Sequence, residues 1–160
     1  MADIIRFTVP ALPIPQPRHQ VGTRPGKDGK RHGHAFIDTA HPIHVFKAAV
    51  KMAAHAAYDG PPLTGPVYCS ITATFPRPKK HFGTGRNAGK IKERYADPWM
   101  DGNKDWDNIG KAVCDALNRL IYEDDKQIVI GKVQKKWAAA GEQPSVGVLI
   151  SAMTKQEPDE

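Results

Sequence analysis

Cysteine is scarce in this 160-residue chain: Cys69 and Cys114 are its only two, and they lie far apart. Two isolated thiols exclude a disulfide framework, and the simpler setting is a reducing cytosol with each thiol a small core residue. Long apolar runs are absent as well, which excludes a membrane-spanning helix. The opening MADIIRFTVP lacks the basic-then-apolar order of a secretory signal. No internal repeat is visible. GTGRNAGK, Gly83 to Lys90, is glycine-rich but lacks the Gly-Lys-Ser/Thr ending of a phosphate loop, which argues against a nucleotide cofactor.

Acidic residues are in the minority, 17 against 23 Lys and Arg, for a net charge of +6 and a pI near 9.4. That balance favours an acidic partner, nucleic acid first and an anionic membrane second. Seven of the 17 acids nonetheless gather between Asp101 and Asp125. The histidines His32, His34, His41 and His44 form His-x-His and His-x-x-His pairs, but no cysteine joins them and the spacing fits no standard zinc site. A basic, partly protonated loop facing a nucleic acid suits them better.

The chain reads as a small α+β domain over residues 1–153, with a mixed sheet of about four strands and two main helices. Residues 154–160 read as a frayed tail. DIIRFTV is a first strand, halted by the proline-rich PALPIPQPRHQ. Gln20 to His34, rich in glycine and cations, reads as a mobile loop. Ile43 to Tyr58 carries apolar residues at helical spacing, and GPVYCSITATF alternates as a strand does. Pro76 to Lys104 has little periodicity and many cations, a length of loop that is uncommon unless functional or disordered. Asn108 to Ile121 reads as a second helix whose apolar face holds Ile109, Ala112, Val113, Ala116, Leu117 and Leu120. Gln127 to Val133 and Ser145 to Met153 read as strands joined by a turn around AAAGEQP. Trp99 and Trp137 have the shape to stack on bases, although burial is the ordinary fate of tryptophan.

Each acid has an ordinary explanation. Asp107 suits a helix N-cap, Asp105 the positive helix end, and Asp124 and Asp125 a turn. Together they suit something else. Phosphodiester hydrolysis uses a hard cation held by oxygen ligands, which activates water and neutralises charge on the phosphate. Carboxylates two apart on extended backbone share a face, as Asp105 and Asp107 would. Lys111, four residues after Asp107, projects the same way from the helix, either as a surface ion pair or as a group for the phosphate oxygen. The basic loop directly ahead would hold the DNA phosphates while the acids held the metal.

The segment KDWDNIGKAVCDALNRLIYEDDKQIVIGKV resembles the signature of the RusA-type Holliday junction resolvases. It has an Asp-x-Asp-Asn, a lysine four residues past the second Asp, an Ala-x-x-Asp-Ala-Leu helix and an acidic Asp-Asp-x-Gln-Ile entry to a strand. VPALPIPQPR and GPV…ITATFPRPKK also resemble family segments. The resemblance implies that Asp105, Asp107 and Asp125 are the essential carboxylates that bind Mg²⁺, with Mn²⁺ as an alternative ion. It implies that Lys111 is the essential lysine and Asp124 a neighbouring acid. It further implies a homodimer that cuts symmetrically across a four-way DNA junction. Trp106 stands where a smaller aliphatic residue is usual, and Lys104 where proline is common, which would loosen the approach to the site.

The expectation is thus a metal-dependent junction-resolving endonuclease, cytoplasmic, with no membrane partner. Arg18, Arg24, Lys27, Lys30, Arg31, Arg77, Lys79 and Lys80 are the candidate phosphate contacts. The alternative is a non-catalytic DNA-binding or architectural protein with a degenerate metal site. A helix of some thirteen residues sets its ends roughly 18–20 Å apart, and the few residues left before Asp125 recover roughly 10–13 Å. That shortfall favours a site shared between two subunits.

Overall fold

Strand β1 (Ile4–Val9) alternates strictly, with Ile5, Phe7 and Val9 buried and Ile4, Arg6 and Thr8 outward. This period of two marks a strand with one covered face, and β1 is an edge of the main sheet. The computed structural model describes residues 4–153, so the expected tail over 154–160 lies outside the described residues. After β1 the proline-rich segment forms no ladder. It is tied down by the Gln16 N–H, which donates to the Asn108 carbonyl at 2.9 Å.

The stretch expected to be a mobile loop is a two-stranded antiparallel ribbon, β2 (Gln20–Pro25) with β3 (Arg31–Phe36), separate from the main sheet. Its turn closes through the Gly26 N–H to the Lys30 carbonyl at 2.7 Å, with Gly29 at φ +73°. The Asp28 carboxylate accepts from the Lys30 N–H at 3.1 Å and meets His32 at 3.0 Å. Composition hid these strands: a ribbon exposed on both faces needs no apolar alternation, so turn chemistry and cross-strand pairs carry it.

Helix α1 (Ile43–Ala57) buries Ile43, Phe46, Val50 and Ala54, with Pro42 at its N-cap. The central strand β4 (Val67–Phe75) is parallel to β5 (Ile128–Trp137) and antiparallel to β6 (Ser145–Ala152), giving the order β1-β6-β4-β5. β5 and β6 are joined by the expected turn but are not paired, because β4 lies between them. β5 also runs four residues past its expected end at Val133, to Trp137 opposite Phe75, so its polar second half is ladder and not turn.

Helix α2 (Trp106–Leu117) begins two residues before the expected start and ends four before the expected finish. Asp105 takes the N-cap position, and its carbonyl accepts from the Ile109 N–H at 3.2 Å. Beyond Leu117 the chain doubles back. Arg119 adopts a left-handed conformation at φ +62°, and its N–H donates to the Tyr122 carbonyl. Leu120 therefore reaches the apolar cluster from a turn, while Ile121 and Tyr122 are fully buried. Both helices pack with β1, β4 and β6 into one core. Gly110 lets α2 approach β5 closely: a Cβ there would lie 2.8 Å from Val133 Cγ2. Among the described residues no helix is long and apolar enough to cross a membrane.

The long segment between β4 and α2 is ordered by short 3-10 turns at Lys79–His81, Gly85–Asn87 and Glu93–Tyr95. Arg77 clamps it: its guanidinium donates to the carbonyls of Ala138, Tyr95 and Asp97 at 2.8, 2.6 and 3.1 Å.

Candidate active site

Asp105 and Asp107 straddle the start of α2, where the partial positive charge of the helix favours carboxylates. Both are exposed. Asp105 makes no capping bond; its Oδ2 accepts from Asn108 Nδ2 at 3.3 Å. Among the described residues neither carboxylate is in an ion pair, which leaves hard oxygen donors free. Trp106, between them, is 60% exposed, so it does not crowd the core.

Lys111 lies one turn past Asp107 but pairs with the next acid along: its Nζ is 3.3 Å from Asp115 Oδ1. Lys47 of α1 holds the other oxygen of Asp115 at 3.4 Å. Sequence reasoning assigned no part to Lys47, since nothing in the chain's local pattern links it to a residue 68 positions away.

Asp124 and Asp125 separate in role. Asp124 caps the 3-10 turn Asp125–Gln127 in a capping box, with its side chain accepting from the Lys126 N–H at 3.0 Å. Its own N–H donates to Gln127 Oε1 at 3.1 Å, while Gln127 Nε2 donates to the Leu63 and Gly65 carbonyls, each at 2.9 Å. The glutamine of the Asp-Asp-x-Gln pattern thus anchors the turn that presents Asp125. Asp125 is half-buried. Burial, reinforced by Cys114 and Cys69, pushes the Tyr122 phenol up; its hydroxyl stays protonated and donates to the Cys114 carbonyl at 3.0 Å. The two thiols expected to be isolated are neighbours across the β4–α2 interface. The Cys114 thiol and burial push the Cys69 thiol up.

Asp125 opens the 3-10 turn Asp125–Gln127, beyond the C-terminal end of α2. Among the described residues no three His, Cys, Asp or Glu side chains converge on one point. The early helix end leaves seven residues between Leu117 and Asp125, so chain length no longer forces the acids apart. The donor set, all carboxylate oxygen and unpaired, fits a hard divalent cation. One chain supplies two such groups at the helix start and a third elsewhere.

The approach to Asp105 is pinned and not loosened. Lys135 Nζ donates to the Gly102 and Lys104 carbonyls at 3.1 and 2.7 Å. The Met100 N–H donates to the Lys135 carbonyl and the Trp137 N–H to the Pro98 carbonyl, at 3.2 and 2.6 Å. The free edge of β5 thus holds residues 98–104 in place. Of the candidate phosphate contacts, Arg18, Arg24, Lys27, Lys30, Lys79 and Lys80 are exposed. Arg31 is exposed but shares its guanidinium with Thr23, at 2.9 Å from Oγ1. Arg77 differs from them: it is half-buried, and three backbone carbonyls already engage its guanidinium.

Residues 10–151 match the family model described as endodeoxyribonuclease RusA. The chain is also 34% identical over 148 residues to a protein of Bacillus subtilis (strain 168) described as "uncharacterized protein YqaN". That alignment covers 92% of this chain and 96% of the relative.

Proposed function

The chain belongs to the RusA endodeoxyribonuclease family, and on that premise we propose that it resolves four-way DNA junctions as a homodimer, in the reducing cytosol. The observation that carries the proposal is the pair of exposed, unpaired carboxylates at the start of α2, with an ordered third on its own capped turn.

Asp105 and Asp107 of one subunit, with Asp125 of a second, would hold Mg²⁺ or Mn²⁺. When bound, that ion supplies a Lewis acid that activates water and neutralises phosphate charge. The protein's own part is positional. Asp105 is fixed by its N-cap place and by Asn108, and Asp125 by the capping box. Lys111 rests on Asp115, an acid already shared with Lys47. An exposed i,i+4 pair of this kind contributes only about 0.2–0.5 kcal/mol, so the ammonium leaves it readily to meet charge on a phosphate oxygen. The exposed cations of the β2–β3 ribbon and of Lys79 and Lys80 would hold the junction arms.

Exposed Trp106 at the start of α2, and exposed Val129 and Ile130 at the start of β5, are apolar surface that a partner would cover. Two-fold symmetry would then create two equal sites, as a symmetric junction requires. The test mixes Asp107→Asn protein with Asp125→Asn protein, each inactive alone. In a mixed dimer one shared site collects both lesions and the other is intact, so partial nicking returns. Heterodimers that form but recover no nicking contradict the shared site.

A further inference from the structure

A cleft of about 610 Å³ opens beside the candidate active site, between the 3-10 turns of residues 79–95, the pinned segment 98–104 and Trp137. We propose that it binds one unstacked nucleobase of the DNA together with its phosphate, and so reads base identity next to the scissile bond. The proposal rests on the endonuclease reading above and names what that site recognises.

The cleft has a built aromatic wall. His81 stacks on Tyr95 with ring centroids 4.2 Å apart and 11° between planes, and meets Trp137 edge-on at 5.2 Å. Arg94 lies over the Tyr95 ring at 5.0 Å. Trp99, in the same lining, is 58% exposed, an unusual surplus for the largest side chain on a segment otherwise tied to β5. His81 is only 6% exposed, and its Nδ1 is enclosed with no hydrogen-bond partner. Burial, with the charges of Arg77, Lys80 and Lys92, lowers its pKa and so favours the neutral ring.

The polar lining narrows the ligand. Lys80 and Arg94 suit a phosphate, whereas Asp97 and Asp101 repel a bare anion. Asn103 and the two carboxylates offer the mixed donors and acceptors that base edges pair with. A planar base with one phosphate satisfies all of these, and the cleft lies within the range of about 300–1,000 Å³ usual for such ligands. Bases inside a duplex are covered on both faces; a base at an exchange point or in a single strand is not. Asp101 and Asn103 stand four and two residues before Asp105, so a base held here lies close to the bond that is cut.

The test uses ultraviolet crosslinking of the full chain to DNA carrying 5-iododeoxyuridine, in a single strand and at the exchange point of a four-way junction. Peptide mapping should place the crosslink on Tyr95, Trp99 or Trp137. Trp99→Ala should weaken single-strand binding on the order of tenfold, since one base–aromatic stack is lost. Its duplex binding and melting temperature should stay at wild-type values. Crosslinks confined to other surfaces, or single-strand binding unmoved by Trp99→Ala, overturn the base site. A junction cut normally without a cleft crosslink overturns the base site alone. A cleft crosslink on DNA that is never cut overturns the resolvase reading and keeps the base site. Absence of any DNA binding overturns both.

Discussion

Lys135→Met removes one ammonium and keeps the unbranched stem. The ammonium holds the Gly102 and Lys104 carbonyls at 3.1 and 2.7 Å, directly ahead of Asp105. Hydrogen bonds from a charged donor contribute about 1.5–3 kcal/mol each when enclosed. Lys135 and Gly102 are half-buried and Lys104 is exposed, so water replaces part of what is lost. The net cost is about 2 kcal/mol, which lowers the melting temperature by about 4–8 °C for a chain of this size. The backbone bonds at Met100 and Trp137 survive, so the segment detaches only over residues 102–104. Asp105 then loses the support on its N-terminal side. Because small misplacements at a reacting centre cost up to about a hundredfold, junction cleavage should fall at least about tenfold. Thermal melts and single-turnover cleavage measure the two effects on one preparation. A variant that melts and cuts like the wild type refutes the claim that Lys135 positions the site.

Gly110→Ala should gain about 1 kcal/mol of helix preference yet lose about 1–3 kcal/mol to the crowding of Val133, for a net destabilisation in urea melts. Adding Val133→Ala should make the Gly110→Ala change less costly, and a double-mutant cycle with no coupling would place the close approach elsewhere. His81, its pKa lowered from the ordinary 6.5 by burial and then by Arg77, Lys80 and Lys92, binds its proton less readily folded than unfolded. Its contribution is therefore complete above about pH 6.5 and is lost as pH falls through that value toward the folded one. His81→Phe keeps a ring in the stack and should flatten the stability profile between pH 7.5 and pH 5 by a measurable part; an unchanged profile assigns the acid sensitivity to other groups.

The main sheet and both helices were legible because their apolar periods of two and 3.6 are plain in β1, β4, β6, α1 and α2. The β2–β3 ribbon was not, since a ribbon exposed on both sides leaves no hydrophobic pattern. The end of α2 was misplaced for a related reason: Leu120 continues the helical stripe, and only the left-handed turn at Arg119 shows that it arrives from a loop. At the candidate site, the acids and Lys111 stood out through the Asp-x-Asp-Asn pattern and its spacing. Lys47, Lys135 and the structural role of Arg77 did not, because each acts on partners 18 to 68 positions away. Arg77 looked like its exposed neighbours Lys79 and Lys80 until its three carbonyl partners were seen.

If the acids at the start of α2 cut junction DNA, their loss must abolish nicking while leaving binding in place. The most direct measurement incubates the protein with an end-labelled four-way junction in Mg²⁺, beside a linear duplex of the same sequence and the Asp105→Asn variant. The expected result is paired nicks placed symmetrically across the exchange point, an intact duplex, and a variant that binds the junction without nicking it. Asp105→Asn protein that nicks at the wild-type rate, or wild-type protein that binds the junction and never cuts it, would show that these acids are not the cutting site.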